Sequence, residues 1–282
     1  MTPYYADGIV TLYHGDCLDV MRSIDDESVD IVVTSPPYNM GLTPGGNGRG
    51  LYRHSTQKAT RFGDGYSEVG DDSMDPDEYE SWLLDVLDGM LRCARRAVFL
   101  NHRPRIIHGQ ATPPIDFASL KRHLSAAGAQ LRQIITWDRG TGIDVNLNHF
   151  CTRGEWIMVL AKPTFRLVNH AASGMGDVWR MPIVTGSDHP APFPVELPAR
   201  CIAATGADSV LDPFAGSGTT LVAAKRVGVR SVGIEKSERY CEMAAKRLAS
   251  TPVSMFAEAE PAKQMNLLPA GLPQEPTEGG QR

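Results

Sequence analysis

Ser209-Val210-Leu211-Asp212-Pro213-Phe214-Ala215-Gly216-Ser217-Gly218-Thr219-Thr220 passes from a short apolar run through a glycine-rich turn into a helical segment. Glycine carries no Cβ, so such a turn lets the backbone approach a ligand closely while the amides of the first helical turn point toward it. A glycine turn can equally serve only to pack a strand on a helix. The added signal is Glu235, about 20 residues on, at the end of the next apolar run, where a carboxylate can accept hydrogen bonds from ribose hydroxyls. No Gly-Lys-Ser/Thr follows the glycines and GxGxxG is not matched, which excludes a phosphate loop and the dinucleotide fingerprint. A different nucleotide-like ligand is implied.

Outward from this stretch, runs with strand character (residues 11–13, 29–34, 97–101, 131–138, 155–161, 209–211 and 231–234) are interleaved with helical ones (18–23, 75–95, 117–127, 193–204, 218–227 and 238–248). Asp75-Pro76-Asp77-Glu78 opens one of these helices with a capping residue, a first-turn proline and acidic side chains against the dipole. The alternation predicts an α/β fold whose mostly parallel sheet has helices on both faces. Between residues 39 and 72 the chain is rich in Gly, Arg, Ser and Thr without periodicity, and reads as a long mobile loop, of a length that is usually functional or disordered. Residues 139–184 mix strand character with irregular polar stretches, and the Pro/Gly/Glu/Gln-rich residues from 252 onward read as a disordered tail.

The run Val29-Asp30-Ile31-Val32-Val33 leads into Thr34-Ser35-Pro36-Pro37-Tyr38, placing a tetrapeptide at the C-terminal end of a buried strand. That edge of an open α/β sheet is where ligands bind. Two prolines fix the turn, so the Pro36 carbonyl and the Ser35 hydroxyl can both accept hydrogen bonds from one planar NH2 group, while Tyr38 offers a stacking face. Alone, Ser-Pro-Pro-Tyr is more often a plain turn. The cofactor-type turn elsewhere in the chain favours the functional reading.

With 282 residues, 42% of them hydrophobic, the chain can bury a large core. The longest apolar stretches fall far short of the roughly 20 residues a bilayer requires, and residues 1–7 lack a secretory pattern, so a cytoplasmic protein is expected. Cys17, Cys93, Cys151, Cys201 and Cys241 show no disulfide or zinc spacing. A net charge of -5 argues against binding nucleic acid by bulk electrostatics. Two local basic clusters stand against that sum: Arg49, Arg53, Lys58 and Arg61; and Arg92, Arg95, Arg96, Arg103 and Arg105. Either could face phosphates, and either could be ordinary solvated surface.

The motif at residues 34–38, preceding the glycine turn at 212–220, resembles the beta group of DNA amino-methyltransferases, over roughly residues 13–248. The resemblance implies a circularly permuted Rossmann-like methyltransferase fold with a loop-rich target-recognition region: residues 1–138 the catalytic half, 139–188 a target-recognition insert, 189–250 the cofactor half. It implies S-adenosylmethionine as cofactor and double-stranded DNA as partner, with a homodimer and a cognate restriction endonuclease as further expectations. It nominates Asp16 and Cys17 beside the cofactor adenine; Asp212, Pro213, Phe214, Gly216, Gly218 and Thr219 in the cofactor turn; and Glu235 with Lys236 at the next strand end. His189-Pro190-Ala191-Pro192-Phe193-Pro194 resembles the approach to the helix flanking the methionine moiety, although many relatives have Lys-Pro where this chain has Ala191-Pro192. Arg49, Arg53, Lys58 and Arg61 are nominated for DNA.

An amino nitrogen conjugated to a base ring is a weak nucleophile. Ser35 and the Pro36 carbonyl would hold its two hydrogens while Tyr38 stacks on the flipped base. Carbon-5 methylation needs a thiolate, supplied in its family by Pro-Cys, and no cysteine here follows a proline. Glutamine-modifying methyltransferases share a Pro-Pro-Tyr turn, but with Asn before it and the cofactor half first. A DNA-binding protein without catalysis is the third alternative. Ser35 resembles the N4-cytosine enzymes, whereas adenine enzymes of the group more often carry Asp there, so N4 of cytosine is favoured over N6 of adenine.

Overall fold

The computed structural model describes residues 1–39, 74–107, 110–140, 150–183 and 193–253. In chain order their elements are β1 (Tyr5–Ala6), β2 (Val10–His14), α1 (Cys17–Arg22), β3 (Val29–Thr34), α2 (Pro76–Cys93), β4 (Ala94–His102), β5 (Arg105–Ile107), β6 (Gln110–Thr112), α3 (Phe117–Ala126), β7 (Gln130–Asp138), β8 (Gly154–Ala161), α4 (His170–Ser173), β9 (Val178–Arg180), α5 (Glu196–Thr205), β10 (Ser209–Asp212), α6 (Thr219–Arg226), β11 (Arg230–Glu235) and α7 (Glu238–Ala249).

Every residue of β3 is buried, as a strand covered on both faces requires. Val29 and Val32 join one core with α1, α2 and α3, and Ile31 and Val33 join another with α5 and α6. A third cluster packs α6 and α7 on β2. Nine described strands form one sheet in the order β1-β2-β11-β10-β3-β4-β8-β7-β9. From β2 to β4 all neighbours run parallel. β8 is antiparallel to both β4 and β7. The last strands of the chain, β10 and β11, thus sit between β2 and β3, the first long ones, which is the permuted order.

Capping follows the sequence signals. Asp16, Asp75 and Asp116 each accept an amide of the first turn of α1, α2 and α3. The helix expected from residue 75 to about 95 ends at Cys93, because Ala94 already belongs to β4. The expected helix over 193–204 begins later, at Glu196, and the backbone of Gly206, at φ 56°, closes it.

Within the range 139–188, expected as a target-recognition insert, the described residues contribute two strands to the sheet. β8 is hydrogen-bonded on both sides, and β9 adds an edge strand against β7. The apolar run of β8 covers β4, whose residues 97–102 are all buried. The tail beyond residue 253 lies outside the described residues.

Candidate active site

Parallel strands present all their C-terminal ends to one edge, and here β2, β11, β10 and β3 bring together the two motifs that are far apart in the chain. On the β10 side, Asp212 is fully buried, and its Oδ1 accepts from the Thr34 hydroxyl at 2.6 Å and the Phe214 amide at 3.1 Å. Burial pushes its pKa up, against the pull of these bonds. This carboxylate therefore ties the end of β3 to the start of the glycine turn. Gly216 and Gly218 have φ of 51° and 79°, in the left-handed region that favours glycine. A Cβ on Gly218 would also meet Ala244 of α7 at 3.1 Å.

Glu235 ends β11 and holds the turn from below: Oε2 accepts from the Gly216 amide at 2.7 Å and Oε1 from the Ser237 amide at 2.8 Å. Its pKa is raised by burial. A carboxylate has about four lone-pair sites, so both oxygens keep acceptor capacity. Asp16, at the end of β2, caps α1 and lies 3.3 Å from Lys236 Nζ. Cys17 is buried beneath, its thiol pushed up to about 12 by burial, and Thr219 begins α6. Phe214 packs edge-on against Trp82 of α2, with ring centroids 5.7 Å apart. The ten residues nominated for a cofactor thus fall on three segments, Asp16-Cys17, 212–219 and Glu235-Lys236, that end or follow β2, β10 and β11 at one sheet edge; together these segments form the candidate cradle.

On the β3 side the loop is built into a polar network. The Tyr38 hydroxyl lies 2.7 Å from Ser35 Oγ, donates to Glu155 Oε2 at 2.9 Å and accepts from Asn101 Nδ2 at 2.7 Å. Asn101 Nδ2 also donates to Glu155 Oε2 at 3.0 Å. Arg139 closes the network, its guanidinium 3.0 Å from Glu155 Oε1. Burial and the Glu155 charge hold the Tyr38 phenol well above its usual range. Its ring stacks on His102, with centroids 4.4 Å apart and planes at 28°. His102 is fully buried and therefore held neutral, with a pKa pushed down to about 3. The Tyr79 hydroxyl lies 2.6 Å from both the Pro37 carbonyl oxygen and His102 Nε2, pinning the second proline.

The loop Ser35-Pro36-Pro37-Tyr38 adjoins the glycine turn through the Thr34–Asp212 bond. The sequence reading missed Tyr79, Asn101, His102, Arg139 and Glu155. The signal was present for three of them: Asn101-His102 ends an apolar strand with two polar residues, and Glu155 opens another with a carboxylate.

The cluster of Arg92, Arg95 and Arg96 is not a phosphate-facing patch. It lies at the opposite, N-terminal edge of the sheet. Arg92 binds the Met21 and Ile24 carbonyls and Asp26, Arg95 binds Asp30 and the Glu27 carbonyl, and Arg96 binds the Thr205 carbonyl. Arg105 is buried, its guanidinium 4.9 Å from the Tyr79 ring centre. Arginine near buried carbonyls satisfies otherwise orphaned acceptors, and here it closes loops. Arg49, Arg53, Lys58 and Arg61 lie outside the described residues, as do residues 189–192. Phe193 packs in the core under α5. Among the described residues no cluster could hold a metal ion, and no helix is long and apolar enough to cross a membrane.

The model of a family described as DNA methylase matches residues 29–246. The chain is 29% identical to the Type II methyltransferase M.ScaI of Streptomyces caespitosus, covering 90% of this chain and 86% of that one. It is 25% identical to M2.MboI of Moraxella bovis, over 89% and 93%. Among solved structures, one described as a DNA modification methylase of Thermus thermophilus complexed with S-adenosyl-L-methionine superposes with a TM-score of 0.59 at 26% identity, covering 84% of this chain and 94% of that one. The PvuII cytosine-N4-specific DNA methyltransferase superposes with a TM-score of 0.66 at 20% identity over 87% and 88%, a likeness of fold.

Proposed function

The chain belongs to this DNA methylase family, and on that premise we propose that it transfers a methyl group to N4 of cytosine in double-stranded DNA, with the base flipped into the loop at Ser35–Tyr38. As a family member it is an S-adenosylmethionine-dependent DNA amino-methyltransferase. The observation that carries the finer reading is Ser35, an oxygen acceptor at the end of β3, linked within one hydrogen-bonded network to Tyr38 and adjoining the cofactor cradle through Thr34 and Asp212.

The cradle residues suit the cofactor. Asp16 and Glu235 offer acceptors to the adenosine hydroxyls and amino group, and Asp212 Oδ2 is a buried oxygen without a hydrogen-bond partner among the described residues, matching an amino-acid ammonium in charge and chemistry. When bound, the sulfonium supplies an electrophilic methyl carbon. The chain's own residues then solve the nucleophile's problem. Ser35 Oγ and the Pro36 carbonyl accept the two amino hydrogens, which turns the nitrogen lone pair out of conjugation and toward the methyl. Tyr38 stacks on the extruded base. His102, neutral and beneath the Tyr38 ring, gives that platform a rigid support.

Incubation with unmethylated genomic duplex DNA and isotopically labelled S-adenosylmethionine, followed by nucleoside mass spectrometry, tests the choice of base. Label in N4-methylcytosine is expected. Label in N6-methyladenine would overturn the role given to Ser35 and leave the family intact. A homodimer and a partner endonuclease are part of this proposal, to be checked by light scattering and by co-purification.

A further inference from the structure

Ser35 can accept a hydrogen from the base only if its own hydroxyl proton is donated elsewhere, and the network beneath it dictates where that proton goes. Glu155 is 6% exposed, and as a carboxylate it can only accept. The Tyr38 hydroxyl, 2.9 Å from Glu155 Oε2, must therefore point its single proton down to the carboxylate, because two lone pairs facing each other in a dry site repel strongly. Asn101 cannot take that proton. Its Nδ2 donates to both Tyr38 Oη and Glu155 Oε2, and the flipped amide would set its oxygen against the carboxylate. Tyr38 Oη is thus left as an acceptor toward Ser35 Oγ, 2.7 Å away, and the serine proton points to the tyrosine. Ser35 Oγ also receives a long contact from Asn101 Nδ2, at 3.4 Å, which engages one of its two lone pairs and leaves the other for the amino group. Arg139 fixes the far end: its guanidinium lies 3.0 Å from Glu155 Oε1, with further bonds to the Thr152 and Arg153 carbonyls.

We propose that Glu155, oriented by Arg139, is a positioning residue that sets the direction of the hydrogen-bond chain Ser35 to Tyr38 to Glu155, so that Ser35 presents an acceptor to the amino group. The inference rests on the role of Ser35 given above. It makes the isosteric change Glu155→Gln informative. With Arg139 holding the amide oxygen, the amide nitrogen faces Tyr38, donates to it and reverses the chain. Ser35 then offers a proton to a group that has two of its own.

Single-turnover methylation of unmethylated genomic duplex DNA, at saturating S-adenosylmethionine, reads the effect. Glu155→Gln should slow transfer by about 10- to 100-fold, the scale of one charge-assisted hydrogen bond, with cofactor affinity and thermal midpoint near wild type. In a Ser35→Ala background, Glu155→Gln should cost almost nothing more, since the acceptor to be oriented is gone. Equal costs in both backgrounds, or a wild-type rate for Glu155→Gln when Ser35→Ala is slow, would overturn the inference and leave the reading of Ser35 standing. A wild-type rate for Ser35→Ala would instead sink that reading. Should Glu155→Gln fail to fold, Tyr38→Phe keeps the ring and removes the link. Its transfer rate should fall at least about tenfold, and an unchanged rate overturns the proposal.

Discussion

Asp212 shows how one side chain serves fold and site together. It is buried at the seam between the glycine turn and the Ser35–Tyr38 loop, and its Oδ1 satisfies both the Thr34 hydroxyl and the Phe214 amide. Replacing it with Ala leaves the buried Thr34 hydroxyl without that acceptor, at about 1–3 kcal/mol, and the half-buried Phe214 amide as well, at a smaller cost. Urea unfolding of Asp212→Ala should therefore show a clear drop in midpoint, and cofactor affinity should fall with it. An unchanged midpoint would mean that the seam is held by other contacts. The arginines carry the opposite lesson. Arg92, Arg95 and Arg96 form a run of positive charge in the sequence, yet each folds back onto carbonyls or carboxylates of neighbouring loops. A charge run alone does not say whether its partner is a phosphate or the protein's own backbone.

At the scale of elements, the glycine turn and α6 are the decisive unit. Gly218 combines a left-handed backbone with a Cβ direction blocked by Ala244. Gly218→Ala should cost about 1–2 kcal/mol of backbone strain and weaken S-adenosylmethionine binding several-fold, measured by calorimetry. Gly176 is a matched control, since it is also left-handed at φ 67° but has nothing within 4 Å of its Cβ direction. Gly176→Ala should show the strain and no loss of cofactor affinity. Equal cofactor losses would contradict the close packing assigned to the turn. These local units were legible in the sequence because their signals are local: β3 was expected over residues 29–34 and is observed there, and the tetrapeptide and turn stand where the alternation put them. Glu155 and Asn101 stood out only as polar residues at strand ends, and their partnership with Tyr38 was not legible. Their meaning depends on β8 lying antiparallel beside β4, which pairs Asn101 with Ile157 and His102 with Trp156. No local pattern encodes that register.

At the scale of the whole molecule, the first and last parts of the chain are joined by Lys225, whose Nζ lies 2.5 Å from Asp7 and donates to the Leu248 carbonyl at 2.8 Å. Burial pushes the Asp7 pKa up, but bonds from Lys225, the Val10 amide, the Tyr5 hydroxyl and the Ile9 amide outweigh it and hold the group at about 2. A carboxyl whose folded pKa is depressed contributes stability above its unfolded pKa and loses it as pH falls through the folded one. Asp7→Asn should therefore lower the unfolding midpoint near pH 7, with the difference from wild type shrinking as pH falls from about 4 toward 2. A difference that persists at pH 2 would assign the effect to shape rather than charge. The proposed sites for cofactor and base adjoin along one sheet edge and are joined at Thr34 and Asp212. The most direct measurement of that division is Tyr38→Ala, compared with wild type for S-adenosylmethionine affinity by calorimetry and for single-turnover methyl transfer to duplex DNA. Cofactor affinity is expected within a few-fold of wild type and transfer slowed by about 100-fold or more, as for loss of a group that acts on the reacting base. Transfer at the wild-type rate, or loss of cofactor binding in step with activity, would contradict that division.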